Sequence, residues 1–246
     1  MSNYIKAELY RITRGRSILG NIIICLGALV LAAATFMQDL FHPNYLTVAS
    51  TFPMMAAIIS IAAGAAIGKH YADRTAQYEI MDGANSHKLI WYRLIVYISL
   101  LTVAYFIPVC AVMLIYEPTE KTLAAIGLFY IVFLRMLFSV IGITMTIKTP
   151  AGAMVPYARM MIENIFAVLG LATNEDKVFD MTGGIISVFK WFPSTECTLV
   201  ANGMLDSDLI IKALIGFVIE AALMYWLAYT SYKKKWYVRT TIGSHV

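Results

Sequence analysis

Along the 246 residues, six stretches run almost without interruption in apolar side chains: 18–37, 48–68, 94–116, 123–147, 153–172 and 209–230. Each is close to the roughly 20 residues that a helix needs to cross about 30 Å of hydrocarbon. Continuous apolarity predicts helices and not a membrane barrel, whose strands are short and alternate polar with apolar positions. No internal repeat and no low-complexity linker divides the chain. The pattern therefore predicts a single all-α, polytopic membrane domain over residues 1–246 with six transmembrane helices.

The connections between these stretches are unequal. Residues 38–47, 117–122 and 148–152 make short turns, whereas 69–93 and 173–208 are long. The first long connection reads KHYADRTAQYEIMDGANSHKLIWYR; its part 71–81 contains neither Gly nor Pro, which predicts a helix, and Asp82-Gly83-Ala84-Asn85-Ser86 predicts a turn after it. On that helix Tyr71, Arg74, Tyr78 and Glu79 share a face with the aromatic and charged mix of an interface; a solvated loop is the plain alternative. The second long connection contains GGIISVFKWF at 183–192, too short to span but apolar enough to dip in as a re-entrant piece or to lie as an amphipathic anchor, with Trp191 and Phe192 at headgroup depth. At the N-terminus, Ile5, Leu9 and Ile12 form an apolar stripe beside Lys6, Arg14 and Arg16, predicting an interfacial amphipathic helix over 1–17. A solvated tail is one alternative there, and a secretory signal ending at Ala32-Ala33-Ala34 is another.

Composition supports the bilayer as solvent. With 60% hydrophobic residues, 14% charged and a mean hydropathy of +0.71, the chain holds more apolar surface than one soluble core can bury. The net charge of +4 is informative through its distribution and does not point to nucleic acid. With the N-terminus in the cytoplasm, the inner segments hold Lys6, Arg11, Arg14, Arg16, Lys69, Arg74, Lys88, Arg93, Lys148, Lys233, Lys234, Lys235 and Arg239, and the outer segments hold only Lys121, Lys177, Lys190 and Lys212. That asymmetry sets the orientation, and an even number of spans then puts both termini in the cytoplasm. The acidic residues Asp39, Glu117, Glu120, Glu175, Asp176, Asp180, Glu196, Asp206 and Asp208 all fall on the outer side.

Candidate chemistry is sparse. Cys25, Cys110 and Cys197 form no CxxC pair, and His42, His70, His87 and His245 have no ligand spacing, so neither a disulfide framework nor a metal centre is indicated. The nearest approach to a phosphate loop is AGAAIGKH at 63–70. It has Ala63 in place of the first glycine and His70 in place of the magnesium-binding hydroxyl, and no strand precedes it. Gly64 and Gly68 there suit close helix contact instead. Neither HExxH nor GxSxG occurs, so the chain reads as no enzyme in its own right.

Four ionisable residues lie inside the apolar stretches, where each costs about 2.5 to 3.5 kcal/mol on insertion scales. Arg135 and Glu220 are near the middle of the fourth and sixth, and Arg159 and Glu163 are one helical turn apart on the fifth. They make either a structural network of buried pairs or a polar lining of a cargo path; a proton relay is a third reading. Pro53, Pro108 and Pro156 sit inside the second, third and fifth spans, where each can kink its helix.

A basic amphipathic start, two helices, the inner loop YADRTAQYEIMDGANSHKLIWYR, four more helices, an extended piece between the fifth and sixth, and the tail YKKKWY together resemble the ABC-2 type permease family. The resemblance covers nearly the whole chain and rests on length and topology more than on signature residues. In that family the loop between the second and third helices forms a coupling helix that docks on the nucleotide-binding subunit. Tyr78, Glu79, Gly83, Ser86, His87 and Lys88 occupy corresponding places, and with Tyr71 and Arg74 they form the candidate ATPase-coupling set. The resemblance implies an ABC-2 (type V exporter-like) permease fold in the cytoplasmic (inner) membrane of a bacterium. It also implies a second permease chain, identical or paralogous, and ABC ATPase subunits that bind ATP and Mg, with no cofactor in this chain. Stand-alone permeases of this size resemble the subunits of lantibiotic and other antimicrobial-peptide transporters, implying a peptide or amphipathic small-molecule cargo. An ion-coupled secondary transporter and a membrane sensor or assembly factor are the alternatives.

Overall fold

The computed structural model describes residues 5, 6, 10, 44–72, 85–172 and 191–240. Among them all regular structure is helical: α1 (Tyr45–Ala72), α2 (Ser86–Leu101), α3 (Ile107–Tyr116), α4 (Glu120–Ile147), α5 (Met154–Ala172), α6 (Pro193–Ala201) and α7 (Ser207–Thr240). A π turn at Thr102–Phe106 joins α2 to α3, and a 3-10 turn at Pro150–Ala153 leads into α5. The expected first span, the loop positions Arg74, Tyr78 and Glu79, and residues 173–190 lie outside the described residues.

Four helices are long and apolar enough to cross a membrane: Tyr45–Ala72, the continuous run Ser86–Tyr116, Glu120–Ile147 and Ser207–Tyr232. The chain is thus a helical membrane protein. The 19-residue α5 carries Arg159 and Glu163, which lower its apolarity. Several helices outrun the apolar stretches that marked them: α1 continues to Ala72 and α7 to Thr240. Apolarity marks the depth of hydrocarbon, whereas the backbone hydrogen-bond ladder carries on into water wherever no breaker stops it.

Start and stop signals are local. The Asn44 side chain accepts from the Thr47 N–H (2.9 Å), Asn85 from the His87 N–H (3.0 Å) and Thr119 from the Thr122 N–H (3.2 Å), capping α1, α2 and α4. Of the expected turn at 82–86 only Asn85, the cap, and Ser86, the first residue of α2, are described. Lys148 closes α4 in a left-handed conformation (φ 61°), and Pro150 two residues on prevents its continuation. In the third span Pro108 lacks an N–H. The helix widens just before it, where the Ile107 N–H reaches back five residues to the Thr102 carbonyl.

The helices α1 and α4 form the centre. In each, 61% of the most apolar stretch is buried, against 17% in α7. Phe52 of α1 stacks on Phe129 of α4 at 4.8 Å between ring centres, and Phe106 meets Phe52 edge-on at 6.2 Å. Gly64 makes the close contact expected of it: a Cβ there would collide with Val140 of α4 and with Ala153, and one on Gly68 would lie 2.5 Å from the Pro150 Cα. On α7 the large side chains Ile211, Ile215, Val218, Ile219 and Trp226 are exposed, an arrangement suited to lipid as the surrounding solvent. Ile5 packs against the core while Lys6 and Tyr10 are exposed; the other positions of the expected N-terminal amphipathic helix lie outside the described residues.

One end of the bundle collects the helix termini assigned to the cytoplasm. Tyr71 at the end of α1, Arg93 in the second turn of α2 and Tyr232 of α7 meet there, as do Lys148 Nζ and the Ser231 carbonyl (3.1 Å). The C-terminal end of α1 and the N-terminal end of α2 therefore lie at one face, which the C-terminal parts of α4 and α7 share, so that α1 and α2 run antiparallel and α4 and α7 run parallel.

Candidate functional site: a buried charge network

All four intramembrane charges singled out from the sequence converge on one network, which extends beyond them. Arg135, 3% exposed, stands near the middle of α4 and uses three nitrogens. Nε donates to Glu220 Oε2 (2.7 Å), Nη1 to Glu196 Oε1 (2.7 Å) and Nη2 to the Trp191 carbonyl (2.6 Å). Arg159 of α5 donates from Nε to Glu163 Oε1 (2.5 Å) and from Nη1 to Glu220 Oε1. The second oxygen of Glu163 accepts from the Ser194 hydroxyl (3.1 Å). Glu220 is the hub, with one oxygen on each arginine.

Each link has a local origin. Arg159 and Glu163 are i and i+4 on α5, so one helical turn aligns them. Gly216 lies one turn before Glu220 on α7, and a Cβ on it would sit 3.1 Å from the Arg135 guanidinium. The missing side chain is what leaves room for the guanidinium against α7. The short helix α6 delivers Ser194 and Glu196 to the centre of the bundle, and Phe192 just before it lies under the Arg159 guanidinium (5.2 Å from Cζ to the ring centre). Trp191, expected at headgroup depth, thus has its carbonyl on Arg135 near the middle of α4, and Phe192 lies against Arg159 in the second turn of α5. Residues 183–190 of the expected re-entrant or anchoring piece lie outside the described residues.

Glu196 is a correction to the sequence reading, which counted it with the acids of the outer connection. It is fully buried against Arg135. Gly216, Ser194 and Glu196 were not selected from the sequence. Gly216 and Glu220 at i and i+4 beside a lone intramembrane arginine were a usable signal; for Glu196 the only hint was an acid inside a short Pro-led helix.

The coupling set divides. Tyr71 is buried, with its hydroxyl on that of Tyr232, and Arg93 Nη1 donates to both hydroxyls (3.4 Å to Tyr71, 3.1 Å to Tyr232). His87 bonds through Nδ1 to the Tyr225 hydroxyl and stacks on Tyr229 at 4.1 Å between ring centres. Ser86 opens α2 half-buried and Lys88 is exposed. Tyr71 and His87 therefore fasten the two stems of the loop to α7, whereas Lys88 faces outward. Arg93, read only as a positive charge of the inner loop, is buried at this junction.

Among the described residues no group of three His, Cys, Asp or Glu is placed to hold a metal ion. Compared with protein-family models, with characterised proteins and with solved structures, the chain matches none.

Proposed function

We propose that this chain is the membrane-spanning permease subunit of an ATP-driven exporter of the ABC-2 kind. In this reading it is a six-span protein of the bacterial cytoplasmic membrane with both termini inside. It pairs with a second permease chain, identical or paralogous, because six helices offer too little wall for a large cargo. The cargo is an antimicrobial peptide or a similar amphipathic molecule, and ATP and Mg are bound by separate ABC ATPase subunits.

The observation that carries the reading is the fastening of both loop stems to one helix. Tyr71 on the α1 side and Arg93 and His87 on the α2 side all contact α7, at Tyr232, Tyr225 and Tyr229. A displacement applied to residues 73–85 is thereby passed to three helices together, and α7 carries Glu220 of the central network. A solvated loop needs no such anchorage; a lever does. Arg74, Tyr78, Glu79, Ser86 and Lys88 then supply the surface that the ATPase grips.

Replacing Tyr78 and Glu79 together with alanine tests this. The variant is expected to insert in the membrane normally and to lose capture of the ATPase, or to uncouple ATP hydrolysis from transport. Normal capture with normal transport would refute the coupling role. Transport of cargo by the wild-type chain alone in liposomes would refute the ATP-driven reading and favour an ion-coupled transporter.

A further inference from the structure

The central network has an odd charge. Arg135 and Arg159 bring two positive charges, and Glu163, Glu196 and Glu220 bring three carboxyl groups. The hydrogen bonds identify which two are carboxylates. Both oxygens of Glu220 accept from guanidinium groups, and both of Glu163 accept, one from Arg159 and one from Ser194. Glu196 is different: Oε1 takes one bond from Arg135, while Oε2 is buried with no partner. An ionised carboxylate with a bare oxygen at a fully buried position carries a desolvation penalty that a single bond from one arginine, itself shared with Glu220, offsets only in part.

Among the described residues nothing packed against α6 supplies a third positive charge. From α4 the titratable group facing Glu196 is Arg135; from α5 they are Arg159 and Glu163; from α7 it is Glu220. The longest contact of α6 is with α1, which has no titratable side chain between Tyr45 and Lys69. On α6 itself the neighbour is the Cys197 thiol. The first turn of α6 offers at most the roughly half charge of a helix N-terminus, short of the whole charge needed.

We propose that the network is a binding site for a single proton, carried by the Glu196 carboxyl at Oε2. The proposal does not depend on the transport reading. With the proton bound, two guanidinium groups face two carboxylates and the cluster is neutral. When it leaves, one uncompensated negative charge remains in the middle of the bundle. A metal cation fits less well, because the three carboxylates do not converge on one point: each is turned toward an arginine. Among the network's side chains Arg159 (30% exposed) and Glu220 (13%) are the most exposed, while Glu163 and Glu196 are at 3% and 0%.

Infrared spectroscopy of the purified full chain in lipid nanodiscs tests the site directly. Wild type at neutral pH is expected to show the carbonyl band of one buried carboxylic acid, shifted on exchange into heavy water and lost in Glu196→Gln. Thermal stability should fall as the pH of the wild type is raised and the proton leaves, and should stay flat for Glu196→Gln, whose neutral amide imitates the protonated acid. Absence of the acid band in wild type, or its persistence in Glu196→Gln, would overturn the proposal. So would a Glu196→Gln chain that fails to fold, since that would mean the negative charge is required. A wild type without the band whose stability rises with sodium or potassium at fixed ionic strength would replace the proton by a metal cation, and equally overturn it.

Discussion

Replacing Arg135 with lysine separates the charge of this side chain from its shape. Both residues are positive, but the arginine presents Nε, Nη1 and Nη2 to three acceptors at 2.7, 2.7 and 2.6 Å. A single ammonium nitrogen on a shorter, flexible stem cannot occupy three such positions. At least one bond to a carboxyl group is lost, at about 1.5–3 kcal/mol. That corresponds to roughly a ten- to hundredfold change in the unfolding constant, since about 1.4 kcal/mol is tenfold. Arg135→Met removes the charge as well and should cost about 3–5 kcal/mol, because Glu220 is left buried with one donor fewer. Unfolding of the purified chain in mixed micelles titrated with dodecyl sulfate, followed by far-UV circular dichroism, ranks the three proteins. The expected order of stability is wild type, then lysine, then methionine. A lysine variant within about 0.5 kcal/mol of wild type would show that net charge alone matters and that the fork geometry does not.

Arg159→Ala and Glu163→Ala should be non-additive by about 0.5–3 kcal/mol in the same assay, but the double variant should stay below wild type because Arg159 also serves Glu220; additive losses would refute the coupling. Gly64→Val forces side-chain atoms into Val140 and Ala153 and should cost about 1–3 kcal/mol, read as reduced stability in micelles; an unchanged midpoint would show that α1 and α4 can separate freely. On a background cleared of native cysteines, a cysteine at Thr119 should react with an impermeant reagent applied outside intact cells and one at Lys88 should not; the reverse pattern would invert the orientation.

The sequence declared its apolar depth well and its contacts poorly. Five of the six apolar stretches coincide with described helices, because hydrocarbon imposes a length and a composition that leave little freedom. The ends were less legible: α1 and α7 run on through Lys69 and Lys233, since a helix does not stop where hydropathy does. Arg159 with Glu163 could be paired by counting one turn. Arg135 with Glu196 could not, for they are 61 residues apart and Glu196 sits among polar residues that looked extramembranous. Arg93 was similarly hidden, because a basic residue beside a membrane is ordinarily a sidedness marker. Only the fold brings it under Tyr71 and Tyr232.

The widened turn at Thr102–Phe106 has a consequence for how the third span meets its neighbours. The buried side chains Tyr97, Leu101, Tyr105, Val109 and Met113 recur every four residues. At about 100° per residue, such a stripe on a regular helix would wind by about 160° around the axis between its first and last members. A π turn absorbs one additional residue, which takes back about 100° and leaves a drift of about 60°. The same five side chains can then face α1 and α4 from one end of the span to the other. A perfectly regular helix of this sequence would have carried Met113 round toward the lipid.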